Sequence, residues 1–354
     1  MDNVKNIQEL IRHSEVDALL LTSPVNRRYV FGFPSSAGTG IVTPDRAWFF
    51  VDSRYIEAAK ASMPDAEVVL ADAGHTYAAL INDVCAELNV SRLGFEGDTL
   101  TYAEYAKFAE NLNAELVPSE ELINGARAVK SRAELQKMIA AQQIAEAAFT
   151  AVLPKISTKI TERELANELL CAMLRAGADD RSFDPIVISG ARSSMPHGVP
   201  CDEKISPGFL TIDFGAKKDG WCSDTTRTLS VGRATEEMKK VYNTVLEAQL
   251  AGIAAIRAGV LGCDVHGAAA DVISAAGYGE YFGHGFGHGL GLEVHETPAA
   301  APAYKKPLPA GAVISAEPGI YLPGRFGVRI EDVVYVTETG CENITRLPKE
   351  LVEL

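Results

Sequence analysis

This chain has no Cys-x-x-Cys pair. Its six cysteines, Cys85, Cys171, Cys201, Cys222, Cys263 and Cys341, are scattered through 354 residues. That usage fits free thiols in a reducing cytosol rather than a disulfide framework, so a cytoplasmic location is expected. No apolar run approaches the ~18 residues of a membrane span. The first ten residues are acidic and amphipathic, without the basic stretch and apolar run of a secretory leader. Positive charge is in deficit, with 33 Lys and Arg against 47 Asp and Glu, a net charge of −14. The deficit opposes nucleic acid as a partner, because that binding rests on neutralising phosphates. It opposes an anionic membrane surface for the same reason. Gly94-Phe-Glu-Gly-Asp lacks the Gly-Lys-Ser/Thr element of a phosphate loop. There is no low-complexity tract and no short tandem repeat.

What remains is a soluble globular composition, 47% hydrophobic and 23% charged, long enough for about two domains. Residues 16–22, 40–43, 47–52 and 90–95 read as buried strands, and 76–88 and a segment from Thr101 as helices. This is an α/β unit, placed at residues 1–125. Pro118-Ser119 breaks the pattern. Ser131-Arg-Ala-Glu134 and Thr161-Glu-Arg-Glu164 are capping boxes, opening helices to about Val152 and Ala176. Strands and glycine turns follow, then helices over 235–257 and about 265–276, then strands again. Residues 126–354 therefore read as an α+β domain.

The chemistry concentrates in four short segments of that domain: Thr211-Ile-Asp-Phe-Gly with Trp221-Cys-Ser-Asp-Thr-Thr-Arg-Thr, Gly283-His-Gly-Phe-Gly-His-Gly-Leu-Gly-Leu-Glu-Val-His-Glu, Ser315-Ala-Glu-Pro-Gly, and Gly327-Val-Arg-Ile-Glu-Asp. Asp213, Asp224, His288, Glu317 and Glu331 are the candidate metal ligands. Four carboxylates and one imidazole form a hard, oxygen-rich set suited to Mn, Co or Zn. Gathered in one pocket without cations, the carboxylates would repel one another. Two divalent ions cancel that charge, so the pattern argues for a dinuclear hydrolytic centre.

Spacing supports convergence. Residues 209–215 and 221–230 flank the turn signal Lys217-Lys-Asp-Gly220. A two-residue loop at Lys218-Asp219 pairs Asp213 directly with Asp224; a loop at Asp219-Gly220 makes them diagonal neighbours on one face. Residues 311–317 and 327–336 read as two strands joined by one Pro- and Gly-containing loop, carrying Glu317 and Glu331 inward. Glycines around His288 allow a close backbone approach. Asp184, Asp202, Asp219, Glu293, Glu296 and Asp332 are assigned no metal, being expected to be solvated, capping or supporting. His13, His75 and His266 are left outside the site.

Together these segments resemble the pita-bread metallopeptidases, and within them the Xaa-Pro peptidases, prolidase and aminopeptidase P. The resemblance is strong over about residues 125–350. It is weaker over the first 125, through Tyr29-Val-Phe-Gly-Phe and Asp52-Ser-Arg-Tyr, which look like that family's N-terminal domain. It implies a pita-bread catalytic domain behind a smaller creatinase-type domain, two divalent metals with Mn first, and a homodimer. The implied substrate is a proline-containing peptide, cleaved before proline by a dipeptidase, with aminopeptidase P or an inactive binding module as alternatives. Motif by motif, Asp213 is expected on one metal, Asp224 and Glu331 between the two, and His288 and Glu317 on the other. Glu317 is also the implied general base. His197 is expected to bond the substrate near the scissile amide, His295 to stabilise the tetrahedral intermediate, and His284 to line the substrate site. Arg329 is expected to orient a carboxylate or hold the site closed, and Thr226 to hydrogen-bond a ligand carboxylate. Phe183 and Ile186 match an apolar pocket for the proline ring. Cys222 is expected to be buried packing near Asp224.

Overall fold

The structure, a computed structural model, describes residues 3–354. The chain divides by internal packing into two units, the second running from Ala128 to Leu354. The sequence puts the boundary after residue 125; packing puts it after Arg127.

In the first unit, strands β1 (Ala18–Leu21), β2 (Thr39–Val42), β3 (Ala47–Val51), β4 (Glu67–Leu70), β5 (Arg92–Phe95) and β6 (Glu115–Pro118) form a mixed sheet in the order β4-β3-β2-β1-β5-β6. Every residue of β1, β2 and β3 is buried. Burial along both faces explains why these strands read as continuous apolar runs rather than alternating ones. Helices α1 (Asn3–Arg12), α2 (Pro24–Phe31), α3 (Ile56–Ser62), α4 (Tyr77–Leu88) and α5 (Tyr102–Asn111) connect them, and α6 (Glu120–Ala128) follows β6. Local chemistry sets the ends of α2: Ser23 caps it, Pro24 opens it, and Gly32 closes it at φ 70°.

The second unit begins with α7 (Arg132–Val152) and α8 (Glu162–Arg175). Both capping boxes are formed, Ser131 with Glu134 and Thr161 with Glu164. The strands β7 (Asp180–Arg181), β8 (Ile186–Ser189), β9 (Gly208–Phe214), β10 (Ala216–Lys218), β11 (Trp221–Cys222) and β12 (Thr225–Val231) follow. The pair α7 and α8 covers the β8-β9-β12 sheet through a core that includes Phe149, Leu165, Leu169, Ile212 and Phe214. Helices α9 (Glu236–Ala255) and α10 (Gly262–Ala275) cover a second sheet in the same way. That sheet contains β13 (Gly287–Gly289), β14 (Glu296–Ala300) and β15 (Val313–Ala316), then, beyond the hairpin of β16 (Gly319–Leu322) and β17 (Phe326–Arg329), β18 (Asp332–Val336) and β19 (Cys341–Asn343). Among the described residues no helix is long and apolar enough to cross a membrane.

Two registers position the site. The β10–β11 turn is Asp219-Gly220, both with positive φ (49° and 83°). Of the two loops open from sequence, this is the one that makes Asp213 face Thr226, with Asp224 diagonal to it. The ladder breaks between Phe214 and Ala216, where Gly215 lies against Ser223; a Cβ on Gly215 would sit 2.0 Å from the Ser223 carbonyl oxygen. The second register corrects the expectation of two long strands carrying Glu317 and Glu331. The first, expected over 311–317, ends at Ala316 ahead of Pro318, which has no amide hydrogen; β16 forms within the expected loop, and the second strand breaks at Ile330-Glu331. Both the Ala316–Asp332 and Gly319–Arg329 pairs keep one register, which puts Glu317 opposite Glu331 inside the interruption. Asp224 and both glutamates thus sit where the ladders open.

The Gly215→Ala variant is expected to lose roughly 1–3 kcal/mol of stability, because the added methyl meets backbone that cannot yield cheaply. A denaturant midpoint equal to that of the parent would contradict the tight crossing.

Candidate metal centre

Asp213 on β9, Asp224 ahead of β12, His288 on β13, Glu317 after β15 and Glu331 ahead of β18 all line one cavity of about 610 Å³. Ligand atoms of Asp224, His288 and Glu331 lie within 4.8 Å of one another. His288 Nε2 is 3.1 Å from Glu317 Oε1 and 3.7 Å from Asp224 Oδ2. His288 reaches this point because its strand has glycine on both sides: a Cβ on Gly287 would lie 1.9 Å from the Ser315 carbonyl oxygen.

Hydrogen bonds set the side chains. His288 Nδ1 faces the Gly289 carbonyl oxygen at 3.1 Å. A carbonyl only accepts, so Nδ1 carries the hydrogen and Nε2 is left for a ligand role. Arg329 donates to Asp213 Oδ2 at 2.6 Å and to Thr226 Oγ1 at 3.0 Å. Thr226 Oγ1 in turn donates to Glu331 Oε2 at 2.8 Å. One guanidinium therefore orients two carboxylates. The other oxygen of each, Asp213 Oδ1 and Glu331 Oε1, is buried with no hydrogen-bond partner among the described residues. A buried carboxylate oxygen without a donor is costly, and two in one cavity with two more carboxylates call for cations. The residues present fit divalent metal on this ground, independently of their spacing.

Residues 136–338 match the family described as Metallopeptidase family M24, and residues 3–129 match the Creatinase/Prolidase N-terminal domain. The chain belongs to metallopeptidase family M24. It is 35% identical to a Xaa-Pro dipeptidase of Pyrococcus furiosus over 99% of both chains. Among solved structures it superposes on a Xaa-Pro dipeptidase from Bacillus anthracis with TM-score 0.96 and 42% identity, covering 100% of this chain and 99% of that one. An X-Pro aminopeptidase from Thermotoga maritima gives TM-score 0.90 at 34% identity, over 98% and 100%. The second unit has the pita-bread fold, and the protein is a metallopeptidase that uses divalent metal.

The remaining expected residues also line the cavity. Phe183, Ile186, His197, His284, His295 and Arg329 all do so, while Thr226 lies buried behind the carboxylates. The ring of His295 is 4.3 Å from that of His288. His284 Nδ1 donates to the Gly285 carbonyl oxygen at 2.8 Å, so its Nε2 accepts from the Tyr321 hydroxyl at 3.0 Å. Both nitrogens are engaged, and burial lowers its pKa, favouring the neutral ring. Cys222 is buried against the Leu292 carbonyl, and burial pushes its thiol up to about 11.

Two supporting residues escape a reading of the motifs. Tyr321 bridges His284 and Arg329, accepting from Arg329 at 2.9 Å; nothing in its spacing points to it. Ser315 accepts from the His288 amide and donates to Glu317 Oε1 at 2.9 Å. Its place two residues before Glu317 is the available signal. Among the acids assigned no metal, Asp184 lines the cavity beside Arg181. Asp332 and Glu296 are not solvated: Asp332 is buried between Arg227 and Lys349, and Glu296 against Lys130.

Electrostatics follow from burial. Desolvation first, then the neighbouring carboxylates, raise Asp224 and Glu331 well above the usual range; desolvation also raises Asp213. Burial opposes charge on Glu317 too, but the His288 hydrogen bond, with the His288 and Arg329 charges, holds it down at about 2. Burial likewise opposes charge on His288, and the Glu317 contact overcomes it, raising the imidazole. In the metal-free protein, protons thus stand in for cations. A raised pKa contributes stability that is present at low pH and lost as pH rises through the folded value. Metal binding releases these protons. The gain in melting temperature on adding Mn is therefore expected to be larger at about pH 8 than at about pH 5, measured by thermal unfolding with and without chelator. An equal gain at both pH values would contradict this charge balance. Asp224→Asn is expected to lose bound metal, read by elemental analysis; unchanged metal content would remove Asp224 from the centre.

Proposed function

We propose that the protein is a dinuclear-metal Xaa-Pro dipeptidase, a prolidase, hydrolysing the peptide bond before proline. The observation that carries the reading is the convergence of Asp213, Asp224, His288, Glu317 and Glu331 in one cavity, with two buried carboxylate oxygens left for cations. The M24 relatives named Xaa-Pro dipeptidase support the substrate class. Two divalent ions held by these five residues would supply Lewis acidity and lower the pKa of a water toward neutrality. Manganese is our first choice, with Co or Zn next, because the donors are carboxylates with a single imidazole.

The chain's own residues divide the remaining work. Glu317 is the proposed base and proton carrier, oriented by Ser315. His197 and His295 lie on the cavity wall and are the proposed donors to the scissile amide. Burial and the adjacent His288 lower the pKa of His295, keeping its ring neutral and able to donate from one nitrogen. His284, with both nitrogens engaged, contributes its ring edge to the substrate site and its hydrogen bond to Tyr321. Arg329 and Thr226 hold Asp213 and Glu331 in place. Phe183, Pro185, Ile186, Val199 and Pro200 are apolar residues of the cavity lining, which suits a pyrrolidine ring. An X-Pro amide is tertiary and has no hydrogen to donate, so a wall without an acceptor costs it nothing. We read the protein as a cytoplasmic homodimer, on its free cysteines and its family resemblance.

One observation favours the aminopeptidase P reading as a second. The arginine on the cavity wall, Arg329, is already spent on Asp213, Thr226, Tyr321 and Pro196. The carboxylate of a free dipeptide would therefore have to rely on the histidines. Hydrolysis of a dipeptide Xaa-Pro and a tripeptide Xaa-Pro-Xaa by the Mn-loaded protein separates the two. Cleavage confined to the dipeptide is the expected result; cleavage confined to the tripeptide would overturn it in favour of aminopeptidase P. Glu317→Gln is expected to keep the fold and lose turnover by roughly 10²–10⁴. Retained activity would remove Glu317 as the base.

A further inference from the structure

His197 is exposed, and among the described residues its ring has no hydrogen-bond partner. Its position is therefore set by its backbone, in a loop between β8 and β9 that also brings Pro196, Val199 and Pro200 to the cavity. The stretch from Ser189 to Cys201 is tied at both ends to one buried side chain. Glu162, at the start of α8 and 1% exposed, accepts from the Ser189 amide at 2.7 Å and the Ser189 hydroxyl at 3.0 Å through Oε1. Through Oε2 it accepts from Arg192 Nε at 3.2 Å, the Cys201 amide at 3.3 Å and the Cys201 thiol at 3.2 Å. Arg192 then reaches across the loop to the Val199 carbonyl oxygen at 2.6 Å. The middle of the loop is tied to the metal-side hairpin, since Arg329 donates to the Pro196 carbonyl oxygen at 3.1 Å and the Gly327 amide to Ser193 Oγ at 2.9 Å.

We propose that Glu162 is a positioning residue, whose buried carboxylate closes the loop between Ser189 and Cys201 and so places His197 against the substrate. The proposal rests on the reading of His197 as a substrate contact. Glu162 is the right chemistry for the task. An ionised carboxylate accepts only, and every group that meets it here is a donor. An amide in its place has one accepting atom, and its NH₂ would face donors already aimed at it, leaving part of the loop closure unmade. Glu162 is outside the proposed metal set and its hydrogen-bond partners are all in the loop and strand that carry His197, so its effect should reach catalysis through that loop and not through the metal.

A double-mutant cycle on the full chain loaded with Mn tests this, with turnover of an Xaa-Pro dipeptide and bound manganese measured for each protein. Glu162→Gln is expected to keep its manganese and lose kcat by about tenfold. Combined with His197→Ala, it is expected to add nothing to the loss from His197→Ala alone. Equal slowing by Glu162→Gln in both backgrounds, loss of manganese, or unchanged kcat would each overturn the proposal. If His197→Ala alone is fully active, the reading of His197 fails and the positioning role falls with it, an outcome distinct from additivity. Should Glu162→Gln not fold, Ser189→Ala and Cys201→Ala, which each remove a donor and keep the charge, run through the same cycle. Additivity with His197→Ala in both would overturn the proposal.

Discussion

The repulsion among four buried carboxylates is the constraint on which the site depends. Asp213, Asp224, Glu317 and Glu331 share one cavity with four imidazoles, of which His288 lies against them, and the guanidinium of Arg329. Arg329 neutralises part of that charge and, through Thr226, aligns Glu331 as well as Asp213. What it leaves, two orphaned oxygens and carboxyl pKa values pushed upward, is an electrostatic debt that divalent cations settle. The metal-free arrangement is strained in a useful sense: it favours protonation, and metal displaces protons.

The fold serves this convergence with two similar halves. Each half is a small antiparallel sheet under a pair of helices, and each contributes carboxylates at or beside an interruption of its ladder. An interrupted rung frees a side chain from its place on the sheet face and lets it turn toward a common point. Gly215, Gly287 and Pro318 are the local devices, the first two by allowing backbone contact that any Cβ would forbid and the third by withholding an amide.

Much of this is legible in the residues. The capping boxes at Ser131 and Thr161 mark α7 and α8 because the signal is local: a hydroxyl and a glutamate three residues apart. The turn signal at Lys217–Gly220 limits the β9–β12 hairpin to two registers, and only the positive φ of both Asp219 and Gly220 decides between them. The five candidate ligands come from motifs, and the structure brings them to one cavity. What stays illegible is tertiary. The break of the second strand at Ile330-Glu331 has no local signal, because residues 327–336 read as one strand. Tyr321 enters the site from the opposite strand of a hairpin, and Glu162 from a helix terminus far along the chain from the loop it anchors. Neither carries a motif of its own.

The most direct test of the account is anomalous diffraction from crystals of the protein grown with manganese. Two peaks in the cavity, within ligand distance of Asp213, Asp224, His288, Glu317 and Glu331, are the predicted result. A cavity without manganese, or manganese bound away from these five side chains, would contradict the claim that the buried carboxylates exist to hold a metal pair.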